Sequence, residues 1–154
     1  MPHNKNRKIK PTAIPAGGTN IPAPRLPPDA ELRFSFKLID LYGNTKFGVR
    51  HCAGGYLEKL LTRLQDVNRM KVSEFRGVLT KQIRNHKIEF ADTSEPMGFT
   101  MLNKQLQAKE PWQFEITANA HGRVHGILID DVFFVIWIDP CHNLYAKGNQ
   151  TCGH

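Results

Sequence analysis

Apolar and polar residues alternate one by one over residues 32–38, where Leu32, Phe34, Phe36 and Leu38 are interleaved with Arg33, Ser35 and Lys37. A period of two sends the two sets to opposite faces of an extended chain, so this stretch predicts a half-buried strand. Tyr42-Gly43-Asn44 supplies a turn, and residues 46–51 are candidates for a short returning strand. Beyond Gly54 the period changes. Tyr56, Leu57, Leu60, Leu61, Leu64 and Val67 recur at three- and four-residue steps, opposite Glu58, Lys59, Thr62, Arg63, Gln65 and Asp66. That spacing predicts an amphipathic helix over residues 54–70. A second helix follows, with Ser73 as its cap and Glu74 in its first turn. Phe75, Val78, Leu79 and Ile83 form its inner stripe, and Arg76, Lys81 and Arg84 face outward. The link between the helices is short enough for a helical hairpin.

Residues 85–111 carry the weakest pattern: a short strand over 87–90, a loop over 92–98 and a turn or two of helix over 100–107. The last third is the strongest. Three apolar-rich runs, 112–117, 123–129 and 132–138, read as strands, and Asp130-Asp131 joins the last two as a tight hairpin. The fold class is α+β, a helical hairpin packed on an antiparallel sheet.

Composition adds a tail to this picture. Residues 1–28 hold seven of the ten prolines, the pair Gly17-Gly18 and five basic residues (Lys5, Arg7, Lys8, Lys10, Arg25) without one acid. Such a segment buries too little apolar surface to offset the entropy of ordering it, so a disordered basic tail is expected. A single domain spans 29–148, and 149–154 form a frayed end. Most of the net charge of +7 comes from the tail, which suits either an anionic partner such as RNA or DNA or a merely solubilising role. No run reaches the roughly 18 to 20 apolar residues of a membrane span, and no apolar segment follows the basic start, so a cytoplasmic protein without a membrane partner is expected. Three cysteines, Cys52, Cys141 and Cys152, fit free thiols; a Cys141–Cys152 bridge is open but not indicated by the spacing.

Candidate chemistry gathers on the terminal hairpin. On a strand, His121, Arg123 and His125 share one face and Val124 takes the other. A guanidinium fork beside an imidazole suits phosphate binding with proton transfer, and the plain alternative is the solvated outer face of an amphipathic strand. The strand at 132–138 runs into Asp139-Pro140-Cys141-His142, with Tyr145 just beyond. Pro140 ends the ladder. Asp139 can orient an imidazole, His142 can act as acid or base, and Tyr145 can hydrogen-bond a phosphate or base. The plain alternative there is a terminating turn with a buried Tyr. His86 follows the basic face of Arg76, Lys81 and Arg84, which lines an anion groove or simply complements a helix dipole. His51, Cys52, His121, His125, Cys141, His142, Cys152 and His154 are potential ligands, but none forms the close pairs of a zinc site, so neither metal nor cofactor is expected. No phosphate-binding glycine loop, dinucleotide fingerprint or nucleophile elbow is present, and Gly54-Gly55 is better read as a permissive turn.

The order of elements and the run "WQFEI", "GRVHGILI", "VFFVIWI", ending in His142 and Tyr145, resembles the RelE/HigB-like toxin superfamily. The likeness covers about a third of the chain. It departs upstream, in an extra strand before the helices and a long insert between helix and sheet. The resemblance implies a metal-independent mRNA endonuclease in which a ribose 2′-hydroxyl attacks the adjacent phosphate, working on the ribosome and held in check by an antitoxin protein. It assigns Arg123 to the phosphate, with Lys81, Arg84 and His86 contributing to RNA binding. It assigns His125 or His142 to the protons, and Tyr145 to stacking on a base or donating to it. Two other readings stand beside it: a non-enzymatic module that binds nucleic acid or protein, and an accessory protein with an acidic protein partner.

Overall fold

The computed structural model describes residues 29–52, 54–77, 83–118 and 120–145. The expected tail, the expected frayed end, and Lys81, Val78 and Leu79 lie outside them. The chain folds as α+β around one five-stranded sheet in the order β1-β5-β4-β3-β2. The strands are β1 (Arg33–Ser35), β2 (His86–Lys87), β3 (Pro111–Glu115), β4 (Arg123–Ile129) and β5 (Val132–Asp139). β2, β3, β4 and β5 pair antiparallel, whereas β1 lies parallel to β5, so the sheet is mixed rather than antiparallel throughout. The hairpin at Asp130-Asp131 forms as expected, with Asp130 in the left-handed region (φ 53).

Helix α1 (Tyr56–Asn68) buries Tyr56, Leu60, Leu64 and Val67. Leu57 and Leu61, expected inside, are exposed, because the helix offers the sheet one narrow seam. Helix α2 (Val72–Arg76) buries Phe75, whose ring meets those of Trp112, Phe114 and Phe133. Lys71, not Ser73, holds the cap position, and its backbone N–H donates to the Glu74 carboxylate at 2.7 Å. Ser73 donates instead to Asp29. The expected strand over 46–51 is absent; a single 3-10 turn, Val49–His51, stands there. Helix α3 (Lys104–Gln107) is one turn, capped by the Asn103 side chain accepting from the Leu106 N–H at 3.0 Å.

Both faces of the sheet are covered. α1 and α2 pack on Trp112, Phe114, Ile116, Val124, Leu128, Phe133, Val135 and Ile138. The other face carries a second core, in which Phe47, Ile88, Phe99, Leu102 and Leu144 cover Ile127, Ile136 and Trp137. This second cover is made by the segments of weakest sequence pattern. A bulge between His125 and Gly126 shifts the β4–β5 register. A side chain at Gly126 would sit 2.1 Å from the Phe134 carbonyl oxygen, so only glycine lets the bulged strands approach so closely.

Candidate functional site

The register of β3, β4 and β5 lines polar residues up on the second face. Glu115 lies opposite Arg123 and Arg123 opposite Asp139; one row further on, Gln113 lies opposite His125 and His125 opposite Trp137. β2 adds His86 opposite Gln113. Val124 points to the helices, as the two-residue period predicts.

This face is not solvated. Gln113, Glu115, Arg123, His125 and Asp139 are all buried. Both readings of His125, a proton carrier at the surface and a residue of an exposed strand face, are therefore corrected. It is 0% exposed, because the loop bearing Phe47 and the turn after β5 close over it. His125 Nε2 lies 3.2 Å from Asp139 Oδ2, so in the neutral ring Nε2–H donates to the carboxylate.

Asp139 anchors the turn that follows. Its carboxylate also accepts the backbone N–H of Asn143 at 2.7 Å and of Leu144 at 2.9 Å. Burial alone would raise its pKa; the His125 imidazole and these two N–H groups outweigh it and hold the carboxyl below its ordinary value. The turn thus fixed carries His142 and Tyr145. Gly122 (φ +70) makes room for it: a Cβ there would fall 1.8 Å from the Asp139 carbonyl oxygen.

At the rim, Glu115 bridges two cations. Arg123 Nη1 is 3.3 Å from one carboxylate oxygen and Arg84 Nε 3.4 Å from the other. Arg84 is about half exposed, whereas Arg123 retains only a small exposed area. The Tyr145 ring neighbours two imidazoles, with centroids 5.8 Å from His142 and 6.2 Å from His86. His86 Nδ1 sits 2.7 Å from the Lys87 carbonyl oxygen, to which it donates, and Gln113 Nε2 donates to His86 Nε2 at 2.6 Å. His142 is half-buried, and its pKa is lowered by burial first and by the Arg123 charge second. Tyr145 is pushed the other way: burial, then the charges of Glu89 and Asp92, raise it. The surroundings therefore favour the neutral imidazole of His142 and the protonated phenol of Tyr145.

Backbone strain falls on the same residues. Of the non-glycine residues with positive φ among those described, Asp130 belongs to the hairpin turn, and the other two are Arg84 (φ 43) and His142 (φ 58). Such conformations cost on the order of 1–3 kcal/mol each and persist where surrounding structure imposes them. Three neighbouring polar atoms in the row behind, Gln113 Oε1, His125 Nδ1 and Trp137 Nε1, have no protein hydrogen-bond partner, which is unusual for buried groups.

Arg84, His86, Arg123, His142 and Tyr145 thus come together; His125 supports them from beneath, and Lys81 lies outside the described residues. Sequence reasoning missed Glu115 and Gln113, although both alternate with the apolar residues of "WQFEI" on the face of Arg123 and His125. It also missed the state of one cysteine. Cys141 is disulfide-bonded and Cys52 is a free thiol, so the expectation of free thiols holds at Cys52 and not at Cys141. Burial raises the Cys52 pKa to about 11, which leaves it unreactive. Among the described residues no three His, Cys, Asp or Glu side chains are placed to hold a metal ion, and no helix is long and apolar enough to cross a membrane. No family model, no curated protein and no solved structure matches the chain.

Proposed function

We propose that this protein is a toxin-type RNA endonuclease that cleaves by attack of the ribose 2′-hydroxyl on the adjacent phosphate. One observation carries the reading: the Tyr145 ring neighbours both His142 and His86, beside a buried Arg123–Glu115 pair that the half-exposed Arg84 joins. The reaction needs a base for the 2′ proton, cationic charge for the phosphorane, and a donor for the departing 5′ oxygen. His142, held neutral, takes the 2′ proton as the oxygen bonds to phosphorus. Arg84 and the accessible edge of Arg123 receive the phosphorane oxygens. Tyr145, held protonated, donates to the 5′ oxygen as its bond to phosphorus breaks. The products are a 2′,3′-cyclic phosphate and a free 5′-hydroxyl, so protons and charge balance within the site. His125 is a positioning residue that acts through Asp139 on the turn bearing His142 and Tyr145.

Work on messenger RNA at the ribosome, under the control of a neutralising antitoxin protein, belongs to the same proposal, as does a cytoplasmic location. Reductants there oppose the disulfide at Cys141, and thiol alkylation during lysis reads its state. The decisive experiment mixes purified protein with ribosomes and a defined mRNA and maps the ends formed. Site-specific cleavage leaving cyclic phosphate, lost in His142→Ala, is the expected result. Intact mRNA together with healthy growth on overexpression of folded protein would leave only a binding module.

A further inference from the structure

A second feature lies on the loop before α1, at a place the mechanism does not use. Both ends of this loop are stitched to β5: the Asp40 N–H donates to the Ile136 carbonyl at 2.8 Å, and the Gly48 N–H to the Ile138 carbonyl at 2.7 Å. Within it the Asp40 carboxylate accepts the backbone N–H groups of Tyr42 at 3.2 Å, Gly43 at 2.6 Å and Asn44 at 3.2 Å. The loop is therefore pinned, yet it holds Tyr42 out in solvent, 74% exposed. The Arg50 guanidinium lies 5.3 Å from the centroid of that ring, and among the described residues Arg50 has no carboxylate partner. Tyr42 and Arg50 flank a cleft of ≈ 130 Å³ whose floor includes Phe47 and whose wall includes Asn44. A single water occupies about 30 Å³ of liquid, so the cleft is larger than one solvent molecule. Phe47 stacks on Trp137 at 4.5 Å and meets His125 at 6.1 Å, and Asn143 Nδ2 donates to the Lys46 carbonyl at 3.3 Å. The cleft is thus joined to the turn that carries His142.

We propose that the Tyr42–Arg50 cleft is a subsite for one unpaired nucleobase and its adjoining phosphate on a single-stranded RNA. An exposed aromatic face on a rigid loop, beside a guanidinium without a carboxylate partner among the described residues, is the arrangement that stacks a base and holds its backbone charge. The subsite rests on the reading of the protein as an RNA endonuclease, and it adds where the strand outside the scissile bond is gripped.

The test is fluorescence anisotropy of the full chain with a labelled eight-nucleotide RNA carrying 2′-O-methyl sugars, which bind but cannot be cut. Tyr42→Ala weakens binding by about 5- to 100-fold, the range of one lost base stack, and Tyr42→Phe keeps the parent affinity. Arg50→Ala weakens binding and lowers the slope of log affinity against log salt by about one. With an abasic strand of the same length, Tyr42→Ala and the parent bind alike. Tyr42 is exposed, so circular dichroism of the variants matches the parent. Parent-like affinity of a folded Tyr42→Ala for the base-bearing strand overturns the subsite while leaving the endonuclease reading intact. Failure of the parent to bind any single-stranded RNA overturns both.

Discussion

The two faces of β3 show what this sheet is built for. Trp112, Phe114 and Ile116 point to the helices and close an apolar core with Phe75 and Phe133. Gln113 and Glu115, from the same strand, point the other way and are equally buried. There they meet Arg123, His125 and Asp139, and the Glu115–Arg123 ion pair among them is of a kind that well-packed apolar residues often replace without loss of stability. The helix face follows from the hydrophobic effect alone. The other face keeps buried charge, left-handed backbone and unpaired polar atoms, all of which reduce stability, and the proposed endonuclease site gives those departures a role.

The largest effects should come from removing one central group on each face. Phe75→Ala opens a cavity among three aromatic rings and costs about 3–5 kcal/mol. Asp139→Ala leaves His125 and two backbone N–H groups unsatisfied in the interior and costs a similar amount, roughly 3–5 kcal/mol. Urea unfolding measures both. The faces separate when RNA cleavage is assayed on the folded fraction: Phe75→Ala retains parent activity, and Asp139→Ala loses it because the turn carrying His142 and Tyr145 is released. Equal activity in the two variants would remove the functional distinction between the faces.

That contrast also explains which parts of the molecule were legible in the chain. Strands β4 and β5 and the seam of α1 follow from periodicity, because burial there is apolar and repeats at a fixed step. The polar face was misjudged for a physical reason. A polar residue at every second position of a strand signals solvent, and nothing local in "GRVHGILI" says that Phe47, Ile88, Phe99 and Leu102 cover that side. These residues come from loops and single turns without a period. The parallel pairing of β1 with β5 is a contact across about 100 residues, which no local pattern encodes. The rim residues Arg123, His142 and Tyr145 were accessible because a strand end followed by a proline-terminated turn fixes where they go. Glu115 was not, since its partner Arg84 lies in an irregular segment.

His142→Ala should come next in size. Loss of a positioned acid or base lowers cleavage about 10²–10⁴-fold, while a half-buried side chain on a turn adds little to stability. Cleavage rates and thermal unfolding, measured side by side, check the split. A fall in melting temperature that accounts for the lost activity would move His142 from the chemistry to the scaffold.

A smaller effect of opposite sign is expected from making the polar face resemble the apolar one. In the double variant Glu115→Leu/Arg123→Met a buried ion pair becomes a packed apolar pair of similar size. Such replacements are neutral or stabilising by about 1–4 kcal/mol. Unfolding should therefore show parent or greater stability, and cleavage should disappear. Destabilisation would mean that the ion pair belongs to the architecture of the fold.

The gentlest probe is pH, which reaches the polar face through Asp139 and His142. Asp139 has a lowered pKa in the folded protein, so folding favours its ionised form. Its contribution is complete above the ordinary carboxylate pKa of about 3.9 and is lost as pH falls through the lower folded value. His142 is also lowered, so folding favours its neutral form, and stability is lost as pH drops below the ordinary histidine value of about 6.5. The two act in the same direction, first near mildly acidic pH and then near the carboxylate range. A two-step loss of stability on acidification is therefore expected, with the upper step missing in His142→Ala and the lower step smaller in Asp139→Asn, where Asp29, Glu110 and Asp131 still titrate. Under the proposed mechanism the same ionisation sets the acid limb of cleavage, which should lie below the ordinary histidine pKa because burial and Arg123 both resist protonation of His142. An acid limb above that value would place the proposed proton transfer on some other group, and the His142–Tyr145–His86 cluster would lose its role.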